Sequence, residues 1–250
     1  DDTTRIVTTG FPQVVFVANA VNRGLTQANN QGRDIARGRF IVFLNPDTIV
    51  PDGTFRRMAE IMDHEPALGV LAPRLVDERG RFTPGIMGHR APTAWTLTNG
   101  FLLLSRLSHD LFPGIHRTAD VHGLEDCDWA CGACLMVRRE VAEAFNWRQF
   151  GSGDDFDYCI QIREKGWRIA ATGDAQVVHL IGRSFTLAKP RTWAGTASNF
   201  ALYLRERHGP LYTLLGIAGM RLGLRLRGSV HYLLYLATRD PERLHKVNKL

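Results

Sequence analysis

Apolar positions along the chain fall into short dense runs separated by amphipathic stretches. Val14–Ala18, Phe40–Leu44, Leu68–Ala72, Ala133–Val137 and Arg168–His179 read as strands, the last broken by a turn at Gly173-Asp174. Between them, Leu25–Arg37, Gly53–His64, Arg139–Phe145 and Asp155–Lys165 carry apolar residues at helical spacing. Gly38 and Gly166 stand where helix C-caps are expected. Strands alternating with helices predict an α/β domain with a mostly parallel sheet flanked by helices. Val76–Phe82 reads as a hairpin turn. Residues 83–126 hold Pro84, Pro92 and Pro113 with little periodicity, the mark of a functional loop or lid.

The last stretch changes character. Thr192–His208 has helical spacing through Trp193, Phe200 and Leu204, and Gly209-Pro210 stops it. Leu211–Arg227 and Ser229–Thr238 follow as two apolar helical segments. This divides the chain into a sheet domain over 1–191 and a helical region over 192–250. The formal charge is +6, and from Gly182 onward twelve Lys/Arg face three Asp/Glu, so residues 1–181 carry −3. The basic balance belongs to the tail, where it suits an anionic surface. A nucleic-acid groove would interleave that charge with aromatics, whereas here it lies beside apolar helices. That combination fits an interfacial helix pair, or helices packed on the core with their arginines in water. No run reaches the roughly 20 apolar residues of a membrane span, and the first ten residues are polar. Cys131 and Cys134 form a C-x-x-C without a second pair, so with Cys127 and Cys159 they read as buried thiols in a reducing compartment.

Candidate chemistry sits at the ends of the predicted elements. Asn22-Arg23-Gly24, with Asn29 beyond it, opens a helix whose free N–H groups could meet a phosphate or ribose, or form a plain turn. Asn45-Pro46-Asp47 follows the strongest strand, an oxygen-ligand position for Mg²⁺ or Mn²⁺, or an Asx-turn. Gly132-Ala133 heads another strand, leaving room for a ligand or for tight packing. Asp154-Asp155 starts an amphipathic helix, where the dipole favours ionised acids, a base or an N-cap. His179 ends a strand as a possible metal ligand or a structural histidine.

In this order the motifs resemble the inverting family 2 glycosyltransferases, and more narrowly their rhamnosyltransferase-like branch, over about residues 1–210. The resemblance rests on Asn22–Gly32, Leu44–Thr48, Gly132-Ala133 with Arg138-Arg139-Glu140, Asp154–Cys159, and His179 with Gly182 and Ser184. It implies a GT-A fold, a nucleotide-sugar donor of dTDP-rhamnose or UDP-sugar type, and a divalent metal, Mg²⁺ or Mn²⁺. Asp155 matches the catalytic base and Asp154 the acid before it. Asp47 and His179 match the metal holders, with Asn45 where many members carry the first Asp of Asp-x-Asp. Asp1 or Asp2 matches the loop near the nucleotide, and Asn22, Gly24, Asn29, Gly132 and Ala133 join the donor side. Trp95, His89, Asp128 and Trp129 are expected on the acceptor side. The implied acceptor is a glycan or polyprenyl-diphosphate-linked sugar for surface polysaccharide, met from the cytoplasmic face of the membrane. The family's opening strand–helix–strand is expected to be absent, which keeps an inactive fragment or a non-catalytic nucleotide-sugar-binding module as alternatives.

Overall fold

In a computed structural model, the strand pattern gathers into one six-stranded sheet. The structure describes residues 2–84, 87–108, 111–145, 154–180, 193–240 and 242–243, with the side chains of 154, 193–197 and 199 excepted. The strands are β1 (Phe40–Leu44), β2 (Thr48–Ile49), β3 (Leu68–Val76), β4 (Leu124–Asp126), β5 (Cys134–Arg138) and β6 (Arg168–His179). Their order is β1-β5-β3-β6-β2, with β4 also on β6. The helices are α1 (Thr3–Gly10), α2 (Leu25–Ile35), α3 (Thr54–His64), α4 (Ala94–Phe101), α5 (Asp154–Glu164), α6 (Trp193–His208) and α7 (Pro210–Thr238).

Both faces of the sheet are covered, which is why its strands read as unbroken apolar runs. Ile41, Phe43, Val70, Leu135 and Val137 face one core with Tyr158, Ile162, Phe200 and Leu204. Leu68, Leu71, Met136 and Ala170 face the other with Met58, Ile61 and Met62 of α3. Strand direction corrects the expectation: among the described pairs only β3 with β6 is parallel. β5 runs antiparallel to both β1 and β3 because the chain enters it from the long 77–133 excursion rather than from a crossover helix.

Other expectations shift at element ends. Val14–Ala18 forms no strand; its side chains stand exposed and pair with no neighbour ladder. The opening residues, expected as a loop, form α1. α2 ends at Ile35 and leaves by extended Ala36, so Gly38 is not its cap. Gly166 does cap α5, at φ +90°, with its N–H on Arg163. The helix expected over Arg139–Phe145 is only a 3₁₀ turn at Arg139–Val141. Asn30 explains this: its side chain takes both the N–H (2.8 Å) and the C=O (3.0 Å) of Phe145. Phe145 is thereby stacked on Tyr158 and set edge-on to Phe43. β6 runs through Gly173-Asp174 unbroken, with a bulge against β3 between Pro73 and Arg74. The 77–80 turn forms as expected, with Gly80 at φ +75° and its N–H on Asp77.

Within the segment read as a loop, Thr93 and Thr96 exchange capping-box hydrogen bonds and start α4. The tail is one 29-residue helix after α6, not two, since Gly228 keeps ordinary helical backbone and nothing stops the helix there. Thr213, Gly216, Met220 and Gly223 form its buried face. A Cβ at Gly216, Gly219 or Gly223 would collide with Leu204, Thr98 or Phe101, so these glycines set how closely α7 approaches α4 and α6. Among the described residues no helix is long and apolar enough to cross a membrane.

Candidate active site

The loop after β1 is clamped from both sides. Leu44 is the last residue paired to β5, opposite Cys134. Beyond it, the Asn45 N–H donates to Ala133 O at 3.0 Å, and Thr48 Oγ1 donates to Asn45 O at 2.7 Å. Asp47 O accepts from the Leu180 N–H at 2.9 Å, and β2 pairs Thr48 with His179. These bonds bring the Asp47 carboxylate to His179. Oδ1 lies 3.5 Å from Nε2, and the two side chains are 7% and 12% exposed.

At that spacing neither group is satisfied. Asp47 Oδ1 and His179 Nδ1 are sealed from solvent without a hydrogen-bond partner. Burial pushes the His179 imidazole below its usual 6.5, with Asp47 opposing the shift, so at neutral pH it offers a lone pair. An orphaned buried carboxylate oxygen beside a neutral imidazole is the donor pair a divalent cation satisfies. Among the described residues no third His, Cys, Asp or Glu joins them. The set therefore fits a cation that takes its remaining ligands from a bound diphosphate or water, as Mg²⁺ in particular does.

Asp155 stands in the first turn of α5. Its Oδ1 accepts from the Phe156 N–H at 2.9 Å and its Oδ2 from the Gly132 N–H at 3.1 Å. Both bonds are accepted, the pattern an ionised carboxylate makes. Gly132 allows the close approach, because a Cβ there would sit 3.3 Å from Asp155 Cβ, tighter than an ordinary contact. The room expected for a ligand at Gly132-Ala133 is thus filled by Asp155, and Ala133 is buried at 1% exposure. The same short segment carries both ends of the site: Gly132 holds Asp155 and Ala133 holds Asn45. Three of the thiols around it, Cys127, Cys134 and Cys159, are buried. Burial pushes Cys127 and Cys134 up to about 12, and Cys159 is also raised by burial. The side chain of Asp154, together with Asp1, Gly182 and Ser184, lies outside the described residues.

The remaining sequence candidates divide. Asn22 Oδ1 accepts from the Gly24 N–H at 2.8 Å, and Gly24 at φ +79° leads into α2. They border an open concavity of about 460 Å³. Asn29 is half-buried one turn into α2. Asp2 is exposed and pairs with Arg5 on α1. Asp128 is a tether, accepting from the Ala91 N–H at 2.8 Å and pairing with Arg163 at 2.9 Å. Trp129 does not present a face to an acceptor. It is 3% exposed, its indole N–H is shared between Arg90 O and Ile115 O, and its ring packs edge-on to Phe156. His89 lends its backbone to Ile115 and Asp128. Trp95 is 54% exposed, near Phe112. Sequence reasoning missed Asn30, which fastens α2 to the core beside Phe43. Only its place in Asn29-Asn30-Gln31, on the inner side of a helix, hinted at it.

The family model described as Glycosyltransferase like family 2 matches residues 2–208. The chain belongs to this family. Its mixed α/β sheet flanked by helices is the family's GT-A fold. The chain is 33% identical over 72 residues to the minor teichoic acid biosynthesis protein GgaB of Bacillus subtilis (strain 168), covering 28% of the chain and 8% of that protein. Among solved structures, GalNAc-T7 with UDP, GalNAc and Mn²⁺ is similar at a TM-score of 0.53 and 15% identity, over 82% of this chain and 38% of that one. The mannosyltransferase PcManGT from Pyrobaculum calidifontis, with GDP-Man and Mn²⁺, is similar at 0.50 and 11%, over 100% and 71%. The chain thus spans well under half the length of GgaB and of GalNAc-T7.

Proposed function

We propose that this family 2 domain transfers a sugar from a nucleotide-sugar donor to a hydroxyl of a surface-polysaccharide acceptor, with inversion. The observation that carries the reading is the unsatisfied Asp47–His179 pair joined to Asp155 through the four-residue segment 131–134. Asp155 takes the proton from the acceptor hydroxyl, and that oxygen attacks the anomeric carbon from the face opposite the nucleotide. The displacement is single and needs no covalent intermediate. Asp47 and His179 would hold Mg²⁺ or Mn²⁺, which supplies neutralisation of the charge on the leaving diphosphate. Asp154 sits beside the base, and the Asn22–Asn29 segment with Asp2 borders the donor.

The donor on this reading is dTDP-rhamnose or a UDP-sugar, in keeping with the rhamnosyltransferase-like motifs. The acceptor is a glycan or a polyprenyl-diphosphate-linked sugar, and similarity to a teichoic acid biosynthesis protein supports a cell-surface product. The enzyme works at the cytoplasmic face of the membrane, held peripherally by α7. That helix exposes Leu211, Leu215, Leu222, Leu226 and Leu233 on its outer side, with Arg221 and Arg225 beside them.

The test is a panel of nucleotide sugars with Mn²⁺, read by thermal stabilisation and by release of nucleoside diphosphate. One donor class should stabilise the domain and turn over. Stabilisation without turnover on any acceptor would instead indicate a binding module, and no response to any nucleotide sugar would end the proposal.

A further inference from the structure

A second, smaller cavity lies away from the Asp47 centre, between α4, the 3₁₀ turn Leu104–Arg106 and α7. It encloses about 220 Å³. That is less than the roughly 300–1,000 Å³ of a site for a drug-sized ligand, so it suits a small head group rather than a nucleotide sugar. Phe101, Ile115 and Phe200 form apolar walls, and Arg106, Arg227 and Ser105 give it a polar end.

Among the described residues the two arginines have no paired carboxylate. Arg74, Arg117, Arg168 and Arg207 each pair with a carboxylate. Among the described residues none pairs with Arg106 or Arg227. Arg227 reaches in from α7, donates to Gly100 O at 2.7 Å, and lies over the Phe101 ring at 5.8 Å. Its Nε is sealed from solvent and has no acceptor. Burial, with the like charge of Arg106, pushes its pKa below the usual 12.5. A partly desolvated cation with no paired carboxylate is a place where an anion is favoured. The turn that carries Arg106 is also strained, because Leu103 is held at φ +62°, a region branched side chains avoid. Strain of this kind persists where the surroundings over-determine it, as they do at ligand sites.

We propose that this cavity binds a phosphate or diphosphate group, which accepts hydrogen bonds from the guanidinium groups of Arg106 and Arg227. The planar guanidinium fork matches phosphate oxygens, and the apolar walls suit the first carbons attached to them. The cavity is one aromatic layer from the base: Phe200 stacks on Phe156, the neighbour of Asp155, at 5.4 Å. Assigning this anion to the sugar acceptor rests on the glycosyl-transfer reading; the anion site itself does not.

Isothermal titration of the full chain with inorganic pyrophosphate in EDTA tests it, since EDTA withholds the cation that would draw pyrophosphate to Asp47 and His179. A parallel arm measures binding to phosphatidylcholine vesicles with and without a long-chain prenyl phosphate. Arg106→Ala, at an exposed residue, and Arg227→Lys, which keeps the charge but loses the guanidinium fork, should each weaken binding at least tenfold with melting temperatures near wild type. Both should leave nucleotide-sugar stabilisation in Mn²⁺ unchanged. Arginine-dependent binding of pyrophosphate but not of vesicles identifies a free phosphate ligand, and arginine-dependent binding of prenyl-phosphate vesicles identifies a lipid one. Binding to neither, or binding that both variants retain within twofold, overturns the site. Failure here with intact sugar transfer leaves the transferase reading standing, whereas absent transfer with intact anion binding removes only that reading.

Discussion

The Gly132 N–H donates to Asp155 Oδ2 at 3.1 Å, and a Cβ at 132 would press on Asp155 Cβ at 3.3 Å, so that the acid must give by a few tenths of an ångström. A strand head and a helix start, distant in sequence, are therefore registered by one hydrogen bond. Asp155→Asn should lower kcat by about 10²–10⁴-fold with donor binding near normal. Gly132→Ala should cost roughly tenfold in kcat through displacement of the base. Full turnover by Asp155→Asn would remove it from the role.

Asp47→Asn and His179→Ala should each weaken Mn²⁺-dependent donor binding by about tenfold or more. The readout is a metal titration at saturating nucleotide sugar. Unchanged metal dependence in both variants would place the cation elsewhere.

Trp129→Phe separates a wall from an acceptor contact. Losing the indole N–H strands the carbonyl of Arg90, while Ile115 O keeps the His89 N–H, at a cost of about 1–3 kcal/mol in stability. Denaturant melts should show that loss while the acceptor KM stays constant. A raised KM with unchanged stability would restore Trp129 to the acceptor side.

His116 gives the fold a pH dependence. Burial lowers its pKa from 6.5 to about 4, with a Met87 backbone bond opposing. The unfolded chain therefore takes up a proton that the folded one refuses. Stability from this group is complete above pH 6.5 and declines as pH falls toward 4, by about 3 kcal/mol in all. Urea midpoints of wild type should drop across that window relative to His116→Phe. Parallel curves for the two proteins would refute the assignment.

Arg221 and Arg225 sit beside the exposed leucines of α7. Reversing both to Glu should reduce affinity for anionic vesicles by about tenfold or more, at roughly 1 kcal/mol per charge, with little change for neutral ones. Added salt should mimic the reversal. Vesicle binding indifferent to charge and salt would argue against a membrane-facing α7.

Much of the sheet was legible because both its faces are buried. Phe40–Leu44 and Ala133–Val137 are apolar throughout, and no loop needs that pattern. The places of Asp47 and Asp155, beyond a strand end and in a helix's first turn, were legible because these are local features. α4 was hidden because its cap is Thr93–Thr96 in a proline-rich context. The Arg139–Phe145 helix was overcalled because the pattern cannot reveal Asn30, more than a hundred residues away, claiming the backbone of Phe145.

By itself the sequence determined which residues carry charge, which segments must be buried, and where the chain turns. Those follow from side-chain polarity and local backbone preference, which act over a few residues. Only the tertiary structure decided that the Gly132 N–H meets Asp155, that Trp129 is buried, and that Arg106 and Arg227 line one cavity. Each depends on hydrogen bonds and packing between segments far apart in sequence, and no local pattern encodes such pairings.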